Sequence, residues 1–224
     1  MLRKGHNLQM VLVLGAVLLA TVIICLSAAN CSGGKLNFEK TYYLVYYRAS
    51  DNAESADSLS QTVLSYGGAG YILNYKDKYY VSFSCYGKED ESQKVLSNLK
   101  NRDLECKVLK IEIKEFKLLT RNAKNNQNLY LGNLNTLDSL YAIAYECANG
   151  LDTGEYSQST AKQMLSSITD TLKGLLRANE NNCFTQGIKS LVEECEKVGG
   201  YLLSKNMRYI QIAIADKILH TELT

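Results

Sequence analysis

A chain of 224 residues has room for one or two domains. Its 25 Lys and Arg against 23 Asp and Glu leave a formal net charge of +2, which excludes the strongly basic footprint of a nucleic-acid-binding surface. Seven cysteines without a CxxC pair, and two histidines (His6 and His220) to join them, exclude a zinc-finger kind of site, and no metal or cofactor is expected.

Arg3 and Lys4 precede a run without acidic or further basic charge that lasts to Gly34, apart from His6. Met10 to Leu26 is almost wholly apolar, and with its flanks it reaches the roughly 20 residues that cross a bilayer as a helix. Ser27-Ala28-Ala29 offers a leader-cleavage site and Cys31 a lipoprotein site, but the length of the run favours an uncleaved anchor. The expectation is a cytoplasmic tail over residues 1–7, a single transmembrane anchor over 8–29 and a linker over 30–39. The leading positive charges place the amino terminus inside and everything after the anchor outside.

Next comes a pattern that occurs twice. A shift of 36 residues lays Tyr43-x-Val45-x-Tyr47 on Tyr79-x-Val81-x-Phe83. Ala56, Leu59, Val63 and Gly67 then fall on Ser92, Val95, Leu99 and Asp103, and Ile72 on Val108. Each copy reads as strand, amphipathic helix, strand, and two copies in tandem make a split βαβ domain of the ferredoxin-like kind. The strands are expected at Tyr42–Arg48, Tyr71–Tyr75, Tyr79–Cys85 and Leu104–Ile113, with Asp77 in a hairpin turn. The first helix follows Asp51, with Glu54 as a capping-box partner and Gly67 as its left-handed stop. The second spans Asp90 to Lys100 and buries Val95, Leu96 and Leu99.

Period-2 alternation assigns the faces. Tyr43, Val45, Tyr47, Tyr79, Val81 and Phe83 turn toward the two helices. Leu44, Tyr46, Arg48, Tyr80, Ser82 and Ser84 turn to the other face, which the repeat leaves open. In the usual 4-1-3-2 strand order, strands 1 and 3 are central neighbours, so Tyr46 and Tyr80 should meet. Tyrosine on an open sheet suits ligands with a flat, partly apolar face, such as sugar rings or bases. Cross-strand aromatic pairing, or coverage by the carboxy-terminal region, accounts for the same tyrosines without a ligand. The same strand order sets Cys85 and Cys106 two strand spacings apart, about 9–10 Å and beyond disulfide reach. Free thiols are expected, with a cross-bundle pair through Cys147 left open.

The pattern Tyr43-x-Val45…Ala56-x-x-Leu59-x-x-x-Val63-x-x-x-Gly67…Tyr79-x-Val81…Leu99 resembles the SPOR (sporulation-related repeat) domain over about residues 40–116. The resemblance implies a βαββαβ domain outside the cytoplasmic membrane of a bacterium. It also implies binding of peptidoglycan glycan strands without stem peptides, in cell division or sporulation, through the open-face residues Leu44, Tyr46, Arg48, Tyr80, Ser82 and Ser84. At those ligand positions the chain departs from the family: Tyr46 stands where Gln is common, and Ser84-Cys85 where Gly-Pro is common. RNA-recognition domains share the topology, but Lys78-Tyr79-Tyr80-Val81-Ser82-Phe83 lacks their glycines, and no nucleic acid is expected as partner.

After a connector over 117–127 the period changes from 2 to 3.6. Leu134, Leu137, Tyr141, Ala144 and Ala148 form one stripe, ended by Asn149-Gly150. Thr160-x-x-Gln163 opens the next, with Ala161, Met164, Leu165, Ile168, Leu172, Leu175 and Leu176. The third holds Ile188, Leu191, Val192, Cys195 and Val198, and Tyr209 to Leu219 is apolar again. These stripes predict a small helical bundle over 128–224, able to dock an envelope protein.

The expected class is therefore α+β: a transmembrane helix, a ferredoxin-like SPOR-like domain and a C-terminal bundle. The expected function is a membrane-anchored, non-enzymatic module that binds peptidoglycan. The alternative is an assembly protein of the envelope that binds another protein and has lost glycan binding.

Overall fold

In a computed structural model, which describes residues 34–102, 104–118, 125–179 and 184–223, the duplicated segment folds as the repeat predicts. It comprises β1 (Lys35–Ser50), α1 (Ala53–Ser65), β2 (Tyr71–Tyr75), β3 (Lys78–Tyr86), α2 (Glu89–Lys100) and β4 (Lys107–Lys117). The strands pair antiparallel in the order β2-β3-β1-β4. Asn52, one residue beyond the expected Asp51, caps α1 by accepting the Ser55 N–H at 2.8 Å. Gly67 has φ +84°, as a left-handed stop requires. Lys76 and Asp77 both have positive φ, 51° and 60°, which makes the β2–β3 connection a type I′ hairpin turn. Against one face of the sheet, α1 and α2 bury Val45, Ala56, Val63, Val81, Phe83, Leu99 and Leu104.

β1 starts inside the stretch read as a linker. Its alternation begins at Leu36 and Phe38, both buried, and Phe38 packs on Phe116 with ring centroids 5.9 Å apart. Because β3 pairs with β1 only as far as Tyr43, β1 and β4 continue beyond it as a two-stranded ribbon.

The carboxy-terminal helices are α3 (Gln127–Thr153), α4 (Gln158–Ala178), α5 (Thr185–Lys197) and α6 (Ser204–Leu219). They do not stand apart as a bundle of their own. α3 and α6 lie on the second face of the sheet, and Tyr42, Leu44, Leu73, Cys85, Ile111 and Ile113 share one core with the helices. α6 is buried almost all round: Met207, Arg208, every residue from Ile210 to Ala215, and Ile218. A helix buried on nearly every side belongs between layers, and its buried Arg208 and Gln211 need polar partners there.

The expected class is corrected accordingly, to an α+β fold of one four-stranded antiparallel sheet and six helices among the described residues. No described helix is long and apolar enough to cross a membrane. The longest, α3, has 27 residues but carries Asn133, Asn135, Asp138, Glu146 and Asp152, which hydrocarbon would penalise. The expected transmembrane segment, residues 8–29, lies outside the described residues. Cys85, Cys106, Cys147 and Cys195 are free thiols, so Cys147 makes no cross-bundle bridge.

The seam between sheet and helices is polar as well as apolar. Gln211 Nε2 donates to the Cys85 carbonyl at 3.0 Å, and Lys40 Nζ to Asp138 Oδ2 at 2.6 Å. Tyr71 donates its hydroxyl to Asp216 Oδ2 at 2.7 Å, while His220 Nδ1 lies 2.8 Å from Asp216 Oδ1. Burial opposes ionisation of Asp216, but the hydrogen bonds from His220 and Tyr71 and the positive charges of His220 and Lys217 outweigh it and hold the carboxyl below its usual range. The same hydrogen bond raises the pKa of His220.

α3 does not stop at Asn149-Gly150. It runs to Thr153 and ends on Gly154 at φ +72°. Gly150 serves packing instead: the Tyr156 ring lies on it, and the Tyr156 N–H donates to the Gly150 carbonyl at 3.0 Å. A Cβ there would sit 2.5 Å from Tyr156 Cγ.

Two measurements check these arrangements. Gly→Ala inside a helix ordinarily stabilises by up to about 1 kcal/mol. Gly150→Ala should instead destabilise the chain by about 1–2 kcal/mol through overpacking, read from a urea midpoint. His220, with its folded pKa raised, contributes stability in full below its unfolded value of about 6.5 and loses it as pH rises through the folded value. The melting temperature of wild type should therefore fall more steeply above about pH 6.5 than that of His220→Gln.

Candidate functional site

The register of β1 against β3 decides which side chains share a face, because directly opposed residues of an antiparallel pair point the same way. Tyr43, Leu44 and Val45 oppose Tyr86, Cys85 and Ser84. The next residue, Tyr46, opposes Ser82, so Phe83 is an extra residue on β3. Arg48 then opposes Val81, so Tyr47 is an extra residue on β1. Two bulges on opposite strands cancel in register but re-aim what lies beside them.

The six residues expected on the open face separate accordingly. Leu44, Tyr46, Tyr80 and Ser82 lie on the face away from α1 and α2, as alternation predicts. Ser84 does not: paired with Val45, it faces the α1/α2 side and is buried. Arg48, paired with Val81, is also on that side, with its guanidinium 5.3 Å from the Tyr47 ring centroid. The face itself is not open. Leu44 and Ser82 are 1 % and 0 % exposed beneath the carboxy-terminal helices.

What stays accessible is one end of that face. Tyr46 and Tyr80 are half-buried there and meet edge to face, with centroids 5.0 Å apart. This is the neighbourhood expected from strand order. Burial, and the neighbouring Tyr80, raise the pKa of the Tyr46 hydroxyl, so it is a neutral donor at physiological pH. Pairing of β2 with β3 sets Leu73 opposite Tyr80 and Tyr75 opposite Lys78, which brings half-buried Tyr75 to the same end. Lys107 lies opposite Tyr46 across the β1–β4 ladder, and Lys76 Nζ stands 5.0 Å from the Tyr75 ring centroid.

The result is three tyrosines beside three lysines: Lys76, Lys78 and Lys107, all exposed. Ring surface suits apolar faces of a ligand, and phenol and ammonium groups suit hydroxyl, carbonyl and carboxylate oxygens. Sequence reasoning did not include Tyr75, Lys76, Lys78 or Lys107. Strand pairing carries Tyr75, Lys78 and Lys107 there, with Lys76 in the adjoining turn, and its traces in the sequence are the expected hairpin at Asp77 and the strand order.

Among the described residues no group of three or more His, Cys, Asp or Glu could hold a metal ion. Burial pushes the thiol pKa up to about 12 at Cys85 and to about 11 at Cys106, Cys147 and Cys195, away from the thiolate a nucleophile needs.

No family model matches the chain, and no curated protein matches it. Among solved structures it is similar to the peptidoglycan-binding domain of the B. subtilis cell wall lytic enzyme CwlC. That match has 20% identity over 37% of this chain and 96% of that one, with a TM-score of 0.29. A likeness of that size assigns this chain to no family.

Proposed function

We propose that this chain is a non-catalytic cell-wall binding protein that holds peptidoglycan glycan strands at the Tyr46–Tyr75–Tyr80 end of its sheet. One observation carries the reading: where α3 and α6 leave the sheet uncovered, they leave an edge-to-face tyrosine pair, with Lys107 opposite Tyr46 and with Lys76 and Lys78 beside Tyr75. Sugar rings bring apolar C–H faces to such rings, and their hydroxyl, amide and carboxylate oxygens take the lysine and phenol donors. The β1/β3 core pattern, which resembles the SPOR domain, supports the same ligand. Ser84 and Arg48 have no part in it, because the bulges turn them to the other face.

A second reading rests on the covered part of the face. A sheet sealed by its own helices, with Leu129, Tyr201 and Leu203 exposed elsewhere, also suits an assembly protein of the envelope that binds another protein.

Co-sedimentation of the full chain with purified sacculi separates the two. Glycan binding predicts stronger pelleting with amidase-treated sacculi than with untreated ones. It also predicts a loss of about tenfold in affinity for Tyr46→Ala with Tyr80→Ala, the equivalent of about 1.4 kcal/mol. Equal pelleting on both kinds of sacculi, or variants that bind like wild type, would overturn glycan binding in favour of assembly.

A further inference from the structure

A concave site lies toward the other end of β2. Here the chain between α5 and α6 passes close to the end of α1 and forms a pocket of about 220 Å³. Leu64 and Ala69 make one wall, Tyr209 and Glu194 another, and Tyr201 stands at the rim, 72 % exposed. So exposed an aromatic side chain contributes nothing to the core.

The loop that presents it is nevertheless fixed. Gln158 holds the next residue, Leu202, by both backbone groups: Nε2 donates to the Leu202 carbonyl at 2.7 Å, and Oε1 accepts the Leu202 N–H at 2.8 Å. Leu202 itself is 2 % exposed, so Tyr201 is carried beside an anchored residue. Lys205 Nζ donates to the Leu64 carbonyl at 3.3 Å and ties the two walls together. Lys197 Nζ reaches Glu194 Oε1 at 2.9 Å, which lines the pocket with both donors and acceptors.

The pocket and the tyrosine patch are joined by β2. Tyr209 packs edge to face on Tyr71, the first residue of β2, with centroids 5.0 Å apart, and Tyr75 of the patch is the last. Tyr71 and Tyr75 are four strand steps apart, about 13 Å. β2 is an edge strand, so no further strand stands between its outer side and a ligand. An exposed aromatic platform beside paired donors and acceptors is the chemistry of a saccharide site, and two such sites at the ends of one edge fit a linear polymer.

We infer that the Tyr201 pocket is a second glycan-binding subsite, and that one glycan strand lies along the β2 edge with contacts at both ends. The inference rests on the glycan-binding reading above. Its distinguishing consequence is dependence on ligand length. A fragment of two sugars engages one end alone, whereas a longer one engages both, the second contact being made at high effective concentration.

The test is titration of the full chain with amidase-treated glycan fragments of about two and about eight sugars, for wild type and Tyr201→Ala. Wild type is expected to bind the longer fragment at least about tenfold more tightly. Tyr201→Ala should remove most of that gain and leave the affinity for the short fragment within about twofold, with an unchanged melting temperature to show that the fold is intact. An unaltered gain in Tyr201→Ala, or no gain in wild type, overturns the second subsite and leaves the glycan-binding reading standing. If no fragment of either length binds wild type, the glycan-binding reading fails, and the subsite with it.

Discussion

The sheet has two apolar faces, and both must be taken out of water. The repeat supplies α1 and α2 for one face and nothing for the other. On that second face lie Tyr42, Leu44, Leu73, Ile111 and Ile113, all buried. At about 1.5–3 kcal/mol for each large side chain, uncovering them would cost on the order of 10 kcal/mol, comparable to the whole net stability of a domain. A βαββαβ unit with this sequence is therefore not a self-sufficient open platform. It depends on α3 and α6, and the carboxy-terminal half is part of the same fold rather than an appendage.

That dependence explains the composition of the seam. A backbone carbonyl on a central strand that meets no water needs a donor, and the Gln211 amide supplies it to Cys85. Lys40 and Asp138, about 30 % exposed each, pair across the junction of β1 and α3. Tyr71, Asp216 and His220 make a chain of hydrogen bonds from the sheet edge to the last turn of α6. These contacts add little net energy individually. They do fix the position of the helices over the sheet, because a slipped helix would leave several of them buried and unmade.

Much of this was legible in the residues. The 36-residue repeat placed four strands and two helices, their order, and the meeting of Tyr46 with Tyr80. The apolar stripes placed three more helices and an apolar run, Tyr209 to Leu219, that proves to be a fourth. The second layer was also partly written in the chain: Ile210, Ile212, Ile214 and the alanines among them form an apolar run too wide for one stripe, and such a run must be enclosed. Stripes say that a helix is buried, however, and not against what. The bulges at Tyr47 and Phe83 left no mark at all. Each adds one residue to one strand, so the period-2 pattern of either strand read alone stays intact, and only the pairing shows that Ser84 and Arg48 have changed sides. Gly150 misled for a different reason. Glycine after asparagine commonly stops a helix, but here the missing Cβ makes room for a ring that arrives from six residues further on.

Covering the sheet changes what kind of ligand it can meet. An open four-stranded face would accept flat ligands in many orientations. With its centre filled by α3 and α6, that face keeps half-buried tyrosines at its margin, Tyr46, Tyr75 and Tyr80 at one end of the sheet, and exposed Tyr201 stands at the pocket toward the other end of β2. A margin has a direction where a face has none. Small contacts spaced along it discriminate by the length and straightness of the partner more than by the identity of any one group. Lysines stand at both ends of that margin, Lys76 and Lys78 near one and Lys197 and Lys205 near the other, on a chain whose net charge is only +2. On the proposed glycan-binding reading, such a distribution would serve an oxygen-rich polymer locally without the general affinity for polyanions that a strongly basic protein would show.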